Sequence, residues 1–485
     1  MQSRRDAMKS LAWALGAGVA AGCSIEKIGS RGGSMSNFTV PPMKRIRVGF
    51  IGLGERGSAA ARRVNILPGI ETTALCDLRP EAVAEVREWL TKKWGADVGP
   101  MREYSGREDS WKALCDDPEV DVVYICTPAG LHAEEEVYAM RAGKHVLVEV
   151  PGAQTIDECW EIVETSEETR RHCFLLENCC YGDNELFAWN LCHLGLLGTL
   201  SHAEGGYIHQ LVDRHLADHF RNRALKVPGK VVRRYGNTYP THGLGPICMY
   251  MDINRGDVMT DVISVSSGAF AHREYAAAKY PPDAWQNKIR WETGDMNTSI
   301  IRTAKRRTIM MQLDMSTVRP YSRLNLVQGT KGCFADYPAR VILSDTPGWI
   351  DPKKHWWLME REIKTDAMYK EVFAKYRHPL WKRVGEIAKN GGGHGGMDFV
   401  MDLRWVYCLQ NGLPLDIDVY DLAAWSSIVP CSAESDRRGG ERVEIPDFTR
   451  GAWKTAKPIA IGDVDLEKMG FDPSRVNAKD KLNYG

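Results

Sequence analysis

The chain has 485 residues, 44% hydrophobic and 26% charged, with 63 basic and 63 acidic side chains cancelling to a formal net charge of zero. The composition is that of a soluble globular protein of two or three domains, which excludes wholesale disorder. The neutral balance argues against a nucleic-acid binder, which needs a basic face to neutralise phosphates.

The amino terminus reads as an address. Ser3-Arg4-Arg5 and Lys9 precede an apolar run from Leu11 to Gly22, too short for the roughly 20 residues of a membrane span. This resembles a twin-arginine export signal. Ala20-Ala21-Gly22-Cys23 resembles a lipoprotein cleavage box, with Cys23 as the acylated residue. Residues 1–23 are therefore expected to be an export signal and 24–43 a Gly/Ser-containing linker. The expected location is beyond the bacterial inner membrane, in the periplasm or on a lipid anchor. That anchor would be the only tie to a membrane. The 13 cysteines include no Cys-x-x-Cys pair, so a structural zinc site of that spacing is not expected, nor any other metal.

The first folded domain, placed at 44–175, alternates strands with helices. Arg45-Ile-Arg-Val-Gly-Phe-Ile51 reads as a buried strand, and Gly52-Leu53-Gly54-Glu55-Arg56-Gly57 follows it, opening a helix. Gly-x-Gly-x-x-Gly in that setting lets a backbone approach a pyrophosphate at a helix N-terminus. A second strand ends at Asp77. An acid there bonds ribose hydroxyls and repels a 2′-phosphate, which favours NAD over NADP; Arg79 is close enough to soften that preference. Further strands end at Thr127, at Glu149-Val150-Pro151 and at Glu177-Asn178. A parallel Rossmann sheet is expected, with ligand at the carboxyl ends of its strands, where Thr127, Pro128, His132, Glu149, Pro151, Glu177 and Asn178 fall.

The Gly-rich turn, Cys126-Thr127-Pro128, the Ala-Gly-Lys-His-Val run ending at Val146 and the Glu-x-Pro at Glu149, in that order, resemble the Gfo/Idh/MocA oxidoreductases. That resemblance implies a second α/β domain carrying an open, mostly antiparallel sheet, placed at 176–420, with a covering segment and tail at 421–485. Most dehydrogenases of that family have Glu-Lys-Pro, where Lys assists catalysis. Val150 stands in its place and has no titratable group.

The departure has a match. Glu149-Val150-Pro151, Glu177-Asn178-Cys179-Cys180-Tyr181-Gly182, Tyr239-Pro240-Thr241-His242-Gly243 and His394-Gly395-Gly396-Met397-Asp398 resemble glycoside hydrolase family 109, the NAD-dependent α-N-acetylgalactosaminidases. The resemblance implies nucleotide contacts at Glu55, Arg56, Asp77, His132, Glu149, Val150 and Asn178. It implies substrate contacts at Tyr207, an Arg near Arg221 (Arg214 and Arg223 compete), Tyr239, Pro240, Thr241, His242 and Tyr321. The implied reaction is the release of terminal α-linked N-acetylgalactosamine from glycans. Bound NAD would take and return a hydride at C3, and the aglycone would leave by elimination after C2 deprotonation. His242 is the candidate for the C3 hydroxyl proton. Tyr239 would share its face if the segment is helical. Tyr207 and Tyr321 are open between sugar contact and C2 base. The competing readings are an exported sugar oxidoreductase with tightly bound NAD(P), and a non-catalytic glycan-binding lipoprotein. The oligomeric state stays open, although an open sheet face in such domains is a surface for a second copy.

His215 and His219, four apart, have a metal-like spacing but lack the Glu of a protease motif, so a structural or loop role is favoured. His394 and Asp398 are further site candidates beside a Gly-rich turn. Trp285, Trp291, Trp349, Trp356 and Trp357 are candidates for stacking on sugars, with core packing the commoner fate of such residues.

Overall fold

The computed structural model describes residues 32–95, 98–217, 235–289, 291–349 and 367–476. The export signal, Cys23, Arg221, Arg223, His219, Trp356 and Trp357 lie outside these residues.

The first sheet is parallel, in the order β3-β2-β1-β4-β5-β6. Its strands are β1 (Ile46–Ile51), β2 (Ile70–Asp77), β3 (Arg102–Ser105), β4 (Val122–Ile125), β5 (His145–Val148) and β6 (Cys173–Leu175). Strand β4 is apolar throughout because helices cover both faces; Val122 to Ile125 are all buried. The strand order reverses between β1 and β4, so a crevice opens above their carboxyl ends. The helix Glu55–Val64 follows β1 directly. Thr155 and Glu158 form a capping box that starts the helix Ile156–Thr169.

The second sheet is mixed and mostly antiparallel, in the order β13-β12-β11-β7-β10-β9-β8-β14. It comprises β7 (Leu200–Ile208), β8 (Met259–Ser266), β9 (Asn297–Thr303), β10 (Thr308–Asp314), β11 (Leu326–Gly329), β12 (Gly332–Ala335), β13 (Arg340–Leu343) and β14 (Val443–Glu444). Only β7 and β10 run parallel to each other. One face is covered by helices, including Thr241–Tyr250, which packs on β7. The other face leaves Ile263, Val265 and Ile300 exposed.

The helix Thr241–Tyr250 sits on β7 at backbone contact. A Cβ on Gly243 would come within 2.2 Å of the Gly206 nitrogen, and one on Gly205 within 2.6 Å of the Gly243 oxygen. Any side chain at these positions would lift the helix and carry His242 away from Tyr207, the next residue on β7.

Later segments return to the first domain. The helix Met397–Asn411 packs against Glu55–Val64, and Val419–Ser426 packs against both Ile156–Thr169 and Thr241–Tyr250. Arg63, 5% exposed, donates to Asp402, which is fully buried, at 2.6 Å. The two sheets thus share one continuous apolar core.

Candidate functional site

The dinucleotide turn has the geometry its motif requires. Gly52 has φ +85°, and a Cβ there would lie 2.7 Å from the Cys126 carbonyl carbon. A Cβ on Gly57 would lie 1.8 Å from the Gly52 oxygen, so the helix can approach the strand only without one. Gly54 is the N-cap residue and no side chain caps the helix, which leaves its first N–H groups for an anion. These features fit the pyrophosphate of a dinucleotide.

Asp77 ends β2, and its Oδ2 accepts from the Leu53 N–H at 2.7 Å while Oδ1 accepts from Arg79 N at 2.9 Å. A carboxylate has about four lone-pair directions, so ribose hydroxyls remain within its capacity. The residue therefore braces the glycine turn and keeps acceptor capacity to spare. Glu55 is half-exposed and lies 3.8 Å from Arg214.

Arg56 ties the crevice to the second half of the chain. It donates to Glu149 Oε1 at 2.6 Å and to Asp398 Oδ2 at 3.0 Å. Asn178 Nδ2 donates to Asp398 Oδ1 at 2.5 Å, and His394 Nδ1 lies 3.1 Å from Oδ2. Burial pushes the Asp398 carboxyl up, but Arg56, His394 and Arg63 outweigh it and hold the group well below the usual carboxylate range. His394 and Asp398 thus belong to the cofactor side of the site. His394 lies in a short turn ahead of the helix Met397–Asn411 rather than on it.

Thr127 and His132 are engaged by their own surroundings. The Thr127 hydroxyl donates to Glu135, and the His132 ring nitrogens lie 2.7 Å from the Thr127 oxygen and 2.9 Å from the Pro151 oxygen. Burial pushes the His132 pKa down, so the ring is neutral and donates to one of these carbonyls at a time. It links the loops after β4 and β5, where Val150 is buried.

The second cluster surrounds His242. Its Nδ1 lies 2.7 Å from Oε1 of Glu177, a carboxylate with 0% exposure. The same oxygen accepts from the Cys179 N–H at 3.1 Å. Burial raises the Glu177 pKa, yet His242, the Thr241 hydroxyl and the Cys179 N–H together bring it below the ordinary value. An ionised Glu177 fixes the tautomer: Nδ1 carries the proton and Nε2 is left as a base. Nε2 faces the Tyr239 hydroxyl at 3.4 Å. Tyr239 precedes the helix, which begins at Thr241, so the contact arises from the chain turning at Pro240 and not from a shared helix face. Thr241 itself is fully buried beneath the cluster.

Tyr207 from β7 completes an aromatic wall, its ring 4.9 Å from Tyr239 and 5.3 Å from His242. Its hydroxyl lies 2.8 Å from His209 Nδ1. Tyr321, 41% exposed, stands edge-on to Tyr207 at 6.3 Å. Arg323 donates to the Tyr321 hydroxyl at 2.8 Å and pairs with the buried Glu185. Burial pushes all three phenols up. Tyr321 reaches only about 12 because the Arg323 guanidinium opposes the rise, whereas Tyr239 goes well above its ordinary value.

The structure therefore brings together Tyr207, Tyr239, His242 and Tyr321 on one side, and Arg56, Glu149 and Asn178 on the other. Glu177 and Arg323 are the residues whose part the sequence reading missed. Glu177 carried one signal, its position at the end of a buried strand; Arg323 carried none beyond standing two residues from Tyr321. His215 lies 3.1 Å from His272, whose ring stacks at 3.9 Å on Trp291, so this tryptophan belongs to a small second core and this histidine sits beside it. Trp349 is exposed.

Comparison with known proteins follows the same division. Residues 46–176 match the family model described as an oxidoreductase family NAD-binding Rossmann fold, and 181–455 match the glycosyl hydrolase 109 C-terminal domain. The chain is 42% identical over 446 residues to a glycosyl hydrolase family 109 protein of Shewanella pealeana, covering 90% of this chain and 93% of the relative. It is 42% identical over 432 residues to a Shewanella oneidensis protein named alpha-N-acetylgalactosaminidase, covering 89% and 91%. Among solved structures, a levoglucosan dehydrogenase in complex with NADH and levoglucosan superimposes with a TM-score of 0.59 at 18% identity, covering 83% of this chain and 100% of that one.

Proposed function

The chain belongs to glycosyl hydrolase family 109 and is an NAD-dependent glycosidase, and on that premise we propose that it releases terminal α-linked N-acetylgalactosamine by oxidation, elimination, water addition and reduction. The sugar and its anomer are carried over from the name of the Shewanella oneidensis relative. The observation that supports the mechanism best is the 2.7 Å contact between His242 and the buried Glu177, set among the tyrosines of the second domain.

The Gly52–Gly57 turn with Asp77, Arg56, Glu149 and Asn178 would hold NAD+, which would supply a reversible hydride acceptor for the sugar C3. His242 Nε2 takes the C3 hydroxyl proton, and Glu177 stabilises the imidazolium that forms. With C3 at the ketone level, the C2 hydrogen is acidic. Tyr321 is our candidate for the group that removes it, since the Arg323 guanidinium at its hydroxyl opposes the rise that burial imposes and leaves it the least raised of the three phenols. The C1–O bond then breaks and the aglycone leaves with a proton from solvent. Water adds at C1, the proton on Tyr321 exchanges with solvent before Tyr321 protonates C2, and His242 returns a proton to the C3 oxygen. The sum is glycoside plus water to free sugar plus alcohol, with no net redox change. Tyr207 and Tyr239 hold the sugar as neutral phenols.

Such a cycle consumes no nucleotide, which suits a protein exported in folded form with its cofactor. We therefore place it in the periplasm or on a lipid anchor at Cys23.

The test is a nitrophenyl α-N-acetylgalactosaminide offered to the native protein without added nucleotide. Hydrolysis is expected, with NAD retained on the purified protein, and His242→Ala should lose about 1,000-fold in kcat while keeping its NAD. Net formation of NADH from free sugar without glycoside cleavage would replace this reading with a sugar oxidoreductase. Tight glycan binding with zero turnover would replace it with a binding protein.

A further inference from the structure

Glu177 and Cys179, on one turn, meet His242 of the helix Thr241–Tyr250. Their ligand-capable atoms all lie within 4.8 Å of one another. Glu177 has no exposed surface, and its Oε2 has no hydrogen-bond partner. Cys179 is 2% exposed and is a free thiol. His242, at 14% side-chain exposure, forms the open side of the cluster, beneath Tyr207 and Tyr239.

We propose that these three residues form a binding site for a thiophilic divalent cation of the Zn2+ type, and that its occupancy blocks turnover.

The donor set matches such an ion. One thiolate, one imidazole and one carboxylate, with a fourth position left for water or a sugar hydroxyl, is a tetrahedral three-ligand arrangement. Bond lengths of roughly 2.0–2.3 Å put the ligand atoms about 3.3–3.6 Å apart, so the widest separations in the cluster shorten by up to about 1.5 Å while the 2.7 Å His242–Glu177 contact opens. The sulfur selects against Mg2+ and Ca2+, which take oxygen donors. Thiolate and carboxylate together cancel the two charges of the ion, so a neutral unit replaces a buried carboxylate. Binding forms a Cys179 Sγ–metal bond and releases the thiol proton to solvent, and His242, coordinating through Nδ1, carries its ring proton on Nε2 instead, with no change of oxidation state. Burial holds that thiol well above its ordinary pKa, so it is protonated before the ion arrives. The inhibitory half rests on the function proposed above: an imidazole that coordinates a metal at the cost of its Glu177 partner no longer passes the C3 proton.

The full chain with its bound NAD is the material for the test. It is cleared of metal with a chelator, which is then removed, and titrated with Co2+ and separately with Zn2+. The wild type should develop a thiolate-to-cobalt charge-transfer band. Cys179→Ser should lose the band and need at least about 100-fold more Zn2+ for half-inhibition of glycoside cleavage. Cys180→Ser, which alters the neighbouring thiol, should keep the band. An absent band in the wild type, an undiminished band in Cys179→Ser, or equal Zn2+ sensitivity in both would overturn the proposal. If Cys179→Ser fails to fold, X-ray absorption of the zinc-loaded wild type decides. One sulfur at about 2.3 Å with nitrogen and oxygen neighbours supports the site; an all-nitrogen-and-oxygen shell overturns it. The cobalt spectrum requires no turnover, so a failure of the glycosidase assay would leave this result standing.

Discussion

Glu177→Gln removes a charge and changes almost nothing else in volume. The wild-type carboxylate is fully buried, 2.7 Å from His242 Nδ1, and has no counter-cation besides the imidazolium that forms during proton transfer. A hydrogen bond to a charged group contributes about 1.5–3 kcal/mol. Coulomb attraction across about 4 Å at an effective dielectric of 20 gives about 4 kcal/mol. Transition-state stabilisation of about 2–4 kcal/mol corresponds to a loss of roughly 30- to 1,000-fold in kcat. The amide can also donate to Nδ1, which places the imidazole proton on Nε2 and removes the base, as in the equivalent change in a Ser-His-Asp triad. The assay is kcat and KM for the nitrophenyl glycoside across pH, with retained NAD and thermal melting as controls on folding. KM should stay close to the wild type, because Glu177 lies beneath His242 and does not face the sugar. A variant within about threefold of wild-type kcat would show that His242 needs no anion behind it and would refute the proposed proton path.

Other consequences follow from the same geometry. Asp398→Asn leaves Arg56 and Arg63 short of a buried partner and should cost about 3–5 kcal/mol in denaturant unfolding, together with part of the retained NAD. The Asp398 carboxyl is depressed in the folded state, so the unfolded chain binds the extra proton as pH falls. Its contribution is therefore complete above about pH 4 and disappears as pH drops through the depressed folded value. Asp398→Asn should accordingly show a flatter loss of stability in acid than the wild type. Arg323→Met takes the cation from the Tyr321 hydroxyl and should slow exchange of the sugar C2 hydrogen with solvent by about 10-fold or more, read by mass spectrometry of the product; unchanged exchange would remove Tyr321 from the role of base. Asp77→Ala loses both the ribose acceptor and the brace on the Leu53 N–H, so NAD should dissociate during purification and be regained only at raised concentration, as titration calorimetry would show.

The parts of this protein that were legible in the sequence are those whose physics is local. A tight glycine turn, an acid at the next strand end and continuous apolar runs each reflect a constraint within a few residues, and they marked the Rossmann sheet and its crevice. The second sheet was legible only as open and mostly antiparallel. Its order, with β7 and β10 parallel at the middle, comes from pairings across a hundred residues that leave no mark on local alternation. The candidate site shows the same divide. Tyr239 and His242 were named from one short motif, yet their contact depends on a turn at Pro240 where a helix face had been expected. The Glu177 partner of His242 lies 65 residues upstream, and the Asp398 partner of Arg56 lies 342 residues downstream. His215 took a place beside a small core because His272 and Trp291, far along the chain, stack there.

The central claim is that the glycosidic bond breaks by elimination after the C2 hydrogen has been removed. Hydrolysis of the nitrophenyl glycoside in D2O, with NMR of the released N-acetylgalactosamine, reads this at the reacting carbon. The account predicts about one solvent deuterium at C2 for every sugar released. A product that keeps its original C2 hydrogen while being formed at full rate would contradict it.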